Sequence, residues 1–131
     1  MTQTTHSPNQ LFEHSLPEDP VEAVKQIIDL GLSLEGVLIQ EHSALEKRDP
    51  AEFQKAQERK KVHLDRYEMA AREFRYNLEK FKAVEDTYLD QLKALQDKIA
   101  FQSKANMDVM KTLLDQAQAD ELGIKPEDIE R

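Results

Sequence analysis

The sequence predicts an all-α protein, built as an elongated antiparallel helical hairpin or a three-helix coiled-coil bundle. Residues 51 to 122 contain neither Gly nor Pro, so no residue in this stretch interrupts a helix through its backbone. Apolar side chains recur there at alternating steps of three and four residues, the repeat of a left-handed coiled coil. The alternative fold is one very long second helix in a dimeric coiled coil.

Composition divides the chain into three segments. Residues 1–18 are polar, contain two prolines, and have too few apolar side chains to offset ordering entropy, so they are predicted to be a disordered N-terminal arm. Residues 19–118 are predicted to be a helical coiled-coil domain, with helices at about 20–48, 50–84 and 87–118. Residues 119–131 are predicted to be a flexible acidic C-terminal tail, because Gly123 and Pro126 favour the end of a helix.

Two helix starts share one pattern, Asp-Pro-x-Glu, at residues 19–22 and 49–52. The Asp side chain can cap the helix, and Pro suits the first helical position. Because a residue before Pro disfavours the α conformation, the first helix should end near Arg48. Asp49 and Pro50 are therefore predicted to form the turn between two antiparallel helices.

Two glycines interrupt the apolar stripe of the first helix. Gly31 and Gly36 each cost about 1 kcal/mol relative to Ala inside a helix. Their presence indicates the close approach of a neighbouring helix, a bend, or a tolerated weakness.

The coiled-coil seam continues beyond Pro50 for about nine heptads. A single helix of this length would extend on the order of 100 Å at 1.5 Å per residue, so it must fold back or dimerise. Candidate breaks are Asn77 and the segment 85–87, where Thr87 could cap a third helix, whereas the unbroken seam argues for continuity. We predict a bend or second turn between Asn77 and Thr87. The seam becomes polar at Gln102 and Asn106.

Charge is unevenly distributed within a net charge of -8. Residues 1–54 contain 3 basic and 10 acidic residues, whereas residues 55–82 contain 9 basic and 5 acidic ones. An acidic first helix and a basic second helix attract each other in an antiparallel pair. The negative net charge disfavours nucleic-acid binding, and the basic segment is predicted to pair within the molecule.

Catalytic and metal-binding motifs are absent from the sequence. It has no Cys, its four His residues do not have the spacing of a metal site, and it has no Gly-rich phosphate-binding loop. We therefore expect no enzyme activity, no catalytic residue, no metal and no cofactor. The sequence also shows no signal peptide and no apolar span, so we expect a cytoplasmic protein without membrane insertion.

An apolar surface late in the chain is the candidate partner-binding site. It consists of Met107, Val109, Met110, Leu113 and Leu114, at a level that we expect to lie beyond the reach of the first helix. Methionine side chains are flexible and are common on adaptable binding surfaces. Val109 and Leu113 occupy the seam and could be ordinary core residues, whereas the other three lie off the seam.

Several of these residues also support a family resemblance. The stretch from Glu41 through Leu45 to Asp49, followed by Lys61 and Leu64, looks like the FlgN family of flagellar export chaperones. A second segment also resembles the family, in whose later helix leucines at heptad spacing lead to an Asn. The corresponding residues here are Leu92, Leu95, Ile99 and Asn106. The likeness covers approximately residues 20–118.

The resemblance implies a cytoplasmic chaperone that binds the hook–filament junction proteins FlgK and FlgL and delivers them to the flagellar type III export gate. It also implies that a terminal region of the cargo pairs with a late amphipathic helix, here about Ser103 to Ala117. The alternative is a structural coiled-coil dimerisation or adaptor protein. The sequence leaves open whether the chain forms a homodimer.

Overall fold

The computed structural model describes residues 16–122, which form three long helices. Helix α1 spans Pro20–Lys47, α2 spans Pro50–Tyr76, a short 3₁₀ helix spans Leu78–Phe81, and α3 spans Asp86–Leu122. The predicted all-α fold is confirmed. Most of the predicted N-terminal arm, residues 1–15, and the tail beyond Leu122 lie outside the described residues.

Two predicted segment boundaries are wrong. Leu16 was assigned to the disordered arm, but its side chain is buried in the core cluster. Residues 119–122 were assigned to the flexible tail, but they form the last turn of α3, and Ala119 is buried. In both places an apolar side chain has a packing partner that composition alone does not reveal.

Both predicted helix starts are confirmed. The Asp19 carboxylate accepts a hydrogen bond from the Glu22 backbone N–H at 3.0 Å, and Asp49 caps α2 in the same way through Glu52 at 3.2 Å. Helix α1 ends because Arg48 adopts a left-handed conformation, with a φ angle of 53°. The predicted turn at Asp49 and Pro50 is therefore confirmed.

The predicted second turn is also confirmed, although its details differ from the expectation. Helix α2 ends at Tyr76, not near residue 84, and the Asn77 side chain donates a hydrogen bond to the Glu73 carbonyl at 2.9 Å. Helix α3 begins at Asp86, so the predicted cap at Thr87 is wrong. The alternative of one very long second helix is wrong as well. The sequence pattern shows no break here because Phe81, which is buried in the turn, keeps the heptad phase of the seam.

Helix α1 lies between the other two helices. It runs antiparallel to α2, since Glu41 contacts Gln57 and Lys60 whereas Gly31, ten residues earlier in α1, faces Tyr67, further along α2. It runs parallel to α3, since contacts advance together along both helices, from Gly31 with Leu95 through Leu38 with Asn106 to Arg48 with Gln116. Within residues 16–122, no Cα atom of α2 lies within 8 Å of a Cα atom of α3. Helices α2 and α3 therefore flank α1 and leave a groove between them.

The two ends of this bundle differ. We call the end at the 3₁₀ turn the sealed end, because buried side chains from all the helices and from Leu16 close it. Its core is a continuous apolar cluster that reaches Leu38 and Ile99. We call the end at the Asp49 turn the open end, where α2 begins and the last turns of α3 lie.

The two glycines of α1 have different surroundings. A Cβ atom added at Gly31 would lie 2.6 Å from Leu95 of α3 and 3.1 Å from Tyr67 of α2. Gly31 therefore lets all three helices approach closely, as one of the sequence interpretations expected. A Cβ atom at Gly36 would meet nothing within 4 Å, so packing within residues 16–122 does not require this glycine.

Candidate partner-binding cleft

A buried polar layer separates the apolar core from the open end. Its centre is the fully buried pair Glu41 and Asn106, one helical turn beyond Leu38. The Glu41 carboxylate accepts hydrogen bonds from the Asn106 amide at 2.7 Å and from the Gln57 amide. The Lys60 ammonium lies 3.1 Å from the same carboxylate. The buried charge is thus paired and hydrogen-bonded, as a buried carboxylate must be.

The Asn106 amide uses its full hydrogen-bonding capacity. Its nitrogen donates to Glu41 and, at 2.8 Å, to the Leu38 carbonyl. Its oxygen accepts from the Gln102 amide at 2.9 Å and lies 3.0 Å from His42 Nδ1. Two donors and two acceptors are all that an Asn side chain offers. This saturation fixes the level at which α3 packs beside α1.

The polar layer was not predicted from the sequence, although a signal for it exists. Glu41, Gln57 and Lys60 are polar residues on seam positions, as are Gln102 and Asn106. Folding the chain at Asp49 and near Asn77 brings all of them to one level. The charge complementarity predicted between α1 and α2 takes its most specific form here, in the ion pair of Glu41 with Lys60.

An apolar cleft with a volume of ≈ 340 Å³ opens beyond the polar layer. Ala44 and Leu45 of α1 form its floor, Phe53 lies on the α2 side, and Leu113 and Ala117 lie on the α3 side. The cleft exists because α2 and α3 stand apart at this end while α1 holds both of them.

Polar groups surround the cleft at the Asp49 turn. Arg48, Asp49 and Asp120 contribute to its lining. The Arg48 guanidinium donates a hydrogen bond to the Gln116 amide oxygen of α3 at 3.1 Å. This bond ties the end of α1 to α3, so the cleft has a defined edge. An apolar floor with a polar rim is the usual anatomy of a protein–protein interface.

Of the five residues predicted to bind a partner, Leu113 lies in this cleft. Val109 lines a neighbouring recess between α1 and α3, which Leu113 also borders. Met107 and Leu114 are 64% and 63% exposed, whereas Val109, Met110 and Leu113 are half-buried. The expectation that all five lie beyond the first helix is wrong, because Leu45 and Arg48 of α1 reach the level of Leu113.

The two exposed members of this set lie on the side of α3 that faces α2. Gln96 marks that side, because its side chain lies next to the Tyr67 hydroxyl of α2. Leu114 follows Gln96 by 18 residues, or five helical turns at 3.6 residues per turn, and Met107 lies within about 20° of the same direction. The helical phase therefore directs Met107 and Leu114 toward the groove between α2 and α3, although neither of them lines the cleft itself. We call this groove and the cleft together the open groove.

Tyr67 of α2 is buried and reaches toward α3, where its hydroxyl lies beside the Gln96 side chain. Burial raises the pKa of the Tyr67 hydroxyl above the ordinary 10.0, while the Gln96 side chain and the Arg75 charge lower it in part. The hydroxyl oxygen is buried without a hydrogen-bond partner of good geometry among the described residues. Its aromatic ring nevertheless fills the space between α1 and α3 at Gly31.

Neither a metal cluster nor a membrane span is found in the described part of the chain. Within residues 16–122 no group of three or more His, Cys, Asp or Glu side chains is arranged to hold a metal ion. None of the helices in that range combines the length and apolarity needed to cross a membrane.

No family model matches the chain, and no curated protein and no solved structure shows a significant match.

Proposed function

We propose that this chain is a cytoplasmic export chaperone of the FlgN type. It binds an amphipathic helix of the hook–filament junction proteins FlgK and FlgL, prevents their premature aggregation, and delivers them to the flagellar type III export gate. The proposal rests on the resemblance described above and on one structural observation, the open groove. The chain itself supplies no catalytic chemistry in this proposal.

The open groove has the form that helix-in-groove recognition requires. Three helices surround an apolar floor, and the fourth position of the bundle, between α2 and α3, is not filled by any residue from 16 to 122. An amphipathic helix places apolar anchors at intervals of three and four residues into such a groove. Leu113 and Phe53 would contact the buried face of that helix, and Met107 and Leu114 would cover its sides.

The polar layer supports this role by its position. It lies directly below the cleft and joins all three helices through Glu41. Because each polar group in it has a specific partner, the layer fixes the relative positions of α2 and α3. A groove that is preorganised in this way binds more tightly than one that must form on binding.

The test is calorimetric titration of the purified chain with purified FlgK and FlgL of the same organism. The double substitution Met110→Asp and Leu114→Asp should weaken binding about thirtyfold or more, since loss of a desolvated apolar anchor costs about 2 kcal/mol. The matched control replaces two exposed apolar residues outside the open groove, Val62→Asp and Leu78→Asp. This control should bind with wild-type affinity.

Circular dichroism decides whether the double variant is informative. If Met110→Asp with Leu114→Asp unfolds the protein, these residues belong to the core and the site assignment fails. The variant Met107→Asp with Leu114→Asp changes only exposed side chains and should fold and still lose affinity. Wild-type affinity in both folded variants would place the binding site elsewhere, and no binding of FlgK or FlgL by the wild-type chain would refute the proposed function.

A further inference from the structure

Helix α1 carries a second heptad stripe on the face opposite its core. The stripe follows steps of four and three residues along the whole helix and consists of Lys25, Asp29, Leu32, Gly36, Ile39, Ser43 and Glu46. Leu32 and Ile39 are 52% and 54% exposed. Phe101 of α3, which is 75% exposed, lines a surface recess with Glu35 beside this stripe. The outer face of α1 therefore presents two large apolar side chains to solvent, and Phe101 of α3 exposes a third beside them.

Gly36 lies at the centre of this apolar face and has no packing role within the described chain. A Cβ atom there would meet nothing within 4 Å, although glycine is unfavourable inside a helix. A glycine on an exposed helix face lets another helix cross with its backbone close to that point. Leu32 and Ile39, one turn to either side, would then flank the crossing.

The order of residues in the stripe favours a second copy of α1 as that helix. The stripe is symmetric about its centre near Gly36: Leu32 and Ile39 lie at equal distances from that centre, and so do Lys25 and Glu46. If two copies of α1 cross antiparallel at Gly36, Leu32 of one copy meets Ile39 of the other, and Lys25 meets Glu46. A parallel pair would instead place Lys25 against Lys25 and Glu46 against Glu46, which is repulsive.

We propose that the outer face of α1 is a self-association surface, at which a second copy of this chain packs antiparallel about a two-fold axis near Gly36. Such an interface is isologous, since each copy contributes the same residues. Lys25 lies 3.5 Å from Glu22 and 5.6 Å from the centre of the Tyr88 ring of α3, while Glu46 lies 3.4 Å from His42; both ion pairs are exposed. Pairs of this kind contribute little to stability and can be exchanged for contacts across the dimer.

This surface is separate from the open groove. It uses the outer face of α1, whereas the cleft uses Ala44, Leu45 and the facing sides of α2 and α3. The inference therefore does not depend on the proposed function. A dimer of this kind would present two open grooves at once.

Sedimentation equilibrium of the full chain over a range of concentrations tests the proposal. The wild-type chain should show a reversible monomer–dimer equilibrium. The variant Leu32→Asp with Ile39→Asp should raise the dimer dissociation constant about a hundredfold or more, because two apolar anchors are lost in each copy. The control Val62→Asp with Leu78→Asp, which alters exposed residues elsewhere, should leave the constant unchanged.

Charge exchange tests the antiparallel geometry. Lys25→Glu should weaken the dimer, because the new carboxylate faces Glu46 of the second copy. Adding Glu46→Lys should restore wild-type association, which neither a parallel pair nor a different interface would show. Gly36→Leu should prevent association without lowering the melting temperature in dilute solution, since the space around Gly36 is open.

Three results would overturn the proposal. The first is a wild-type chain that stays monomeric at its highest soluble concentration. In that case the outer face of α1 would instead fit a helix of a different protein. Undiminished dimers of the Leu32→Asp, Ile39→Asp variant would place the interface on another surface. Failure of the exchanged charges to restore association would exclude the antiparallel arrangement. Titration of the same apolar variant with FlgK and FlgL separates this outcome from the proposed function, because cargo affinity should be unchanged.

Discussion

The sealed end and the open end are built by the same three helices but bury different chemistry. At the sealed end Ile27, Phe81 and Leu92 are part of a continuous apolar cluster, and Leu16 helps to close it. At the open end the first buried groups above Leu38 are a carboxylate and an amide, and beyond them lies a cleft. Apolar packing stabilises the folded state but does not depend on precise geometry. A polar layer adds little net stability, but its hydrogen bonds fix the relative positions of the helices.

This difference indicates a division of labour along the molecule. The sealed end supplies most of the burial that holds three helices together. The open end gives up part of that burial and keeps α2 and α3 apart in a defined position. A binding groove needs both, because a helix can dock only between flanking helices that do not collapse onto each other.

The largest expected effect tests whether stability resides at the sealed end. Ile27→Ala creates a cavity among fully buried neighbours and should lower the free energy of unfolding by about 2–5 kcal/mol. Leu45→Ala at the open end should cost less, because Leu45 borders two clefts and already lacks neighbours on those sides. Urea denaturation measures the loss of unfolding free energy in each variant, provided that the m values of the variants are equal. Equal losses at the two positions would contradict the proposed division.

The second prediction concerns the polar layer. Asn106→Leu removes both donors from the Leu38 carbonyl and the Glu41 carboxylate and should cost about 2–3 kcal/mol, because buried acceptors are left unpaired. Gln102→Leu should cost less than about 1 kcal/mol, since Gln102 is only half-buried and makes one bond to Asn106. Denaturant midpoints of the two variants give the comparison.

A double variant sharpens this prediction. Adding Glu41→Leu to Asn106→Leu should recover at least half of the lost stability, because the layer then lacks its buried charge and an apolar replacement is often neutral. If the layer serves geometry, this stable variant should still lose affinity for FlgK and FlgL. A double variant that binds them as the wild type does would show that the layer has no part in shaping the groove.

The helices and turns could largely be predicted because their causes are local. The Asp-Pro-x-Glu pattern acts within four residues, and the structure confirms both caps. The end of α2 was harder to place, because Phe81 satisfies the heptad phase while it packs in a turn. Hydrophobic periodicity reports which side chains are buried, and it cannot show whether a helix or a turn buries them.

The candidate site could be predicted only in part, because it depends on which helices meet. The apolar residues of the late surface are visible in the sequence, and one of them, Leu113, lines the cleft. Phe53, however, is 60 residues before Leu113, and nothing local brings them together. The level of α3 beside α1 is set by Asn106, which pairs with Leu38 and Glu41 of α1, more than 60 residues earlier in the chain. Such long-range pairing follows from the fold and not from the spacing of residues.

The smallest expected effect concerns Tyr67, which belongs to the apolar core cluster. Its buried hydroxyl has no well-placed hydrogen-bond partner among the described residues, so Tyr67→Phe should raise the free energy of unfolding by about 1 kcal/mol at neutral pH. Tyr76→Phe, at an exposed position, should change it by less than about 0.5 kcal/mol. Urea denaturation of the three proteins at one pH measures these differences. A loss of stability in Tyr67→Phe would mean that the hydroxyl has a partner that holds the groove.

The same tyrosine should also make stability depend on pH in the alkaline range. Burial raises the pKa of Tyr67 in the folded state above the ordinary 10.0, so in this range the unfolded chain loses the proton first and the folded chain retains it. Stability from this group is complete below the ordinary pKa and is lost as pH rises through the raised folded value. The wild-type chain should therefore lose stability above about pH 10 more steeply than Tyr67→Phe. Parallel curves for the two proteins would show that the Tyr67 hydroxyl ionises as freely in the folded chain as in the unfolded one, and that the groove is open to water at this level.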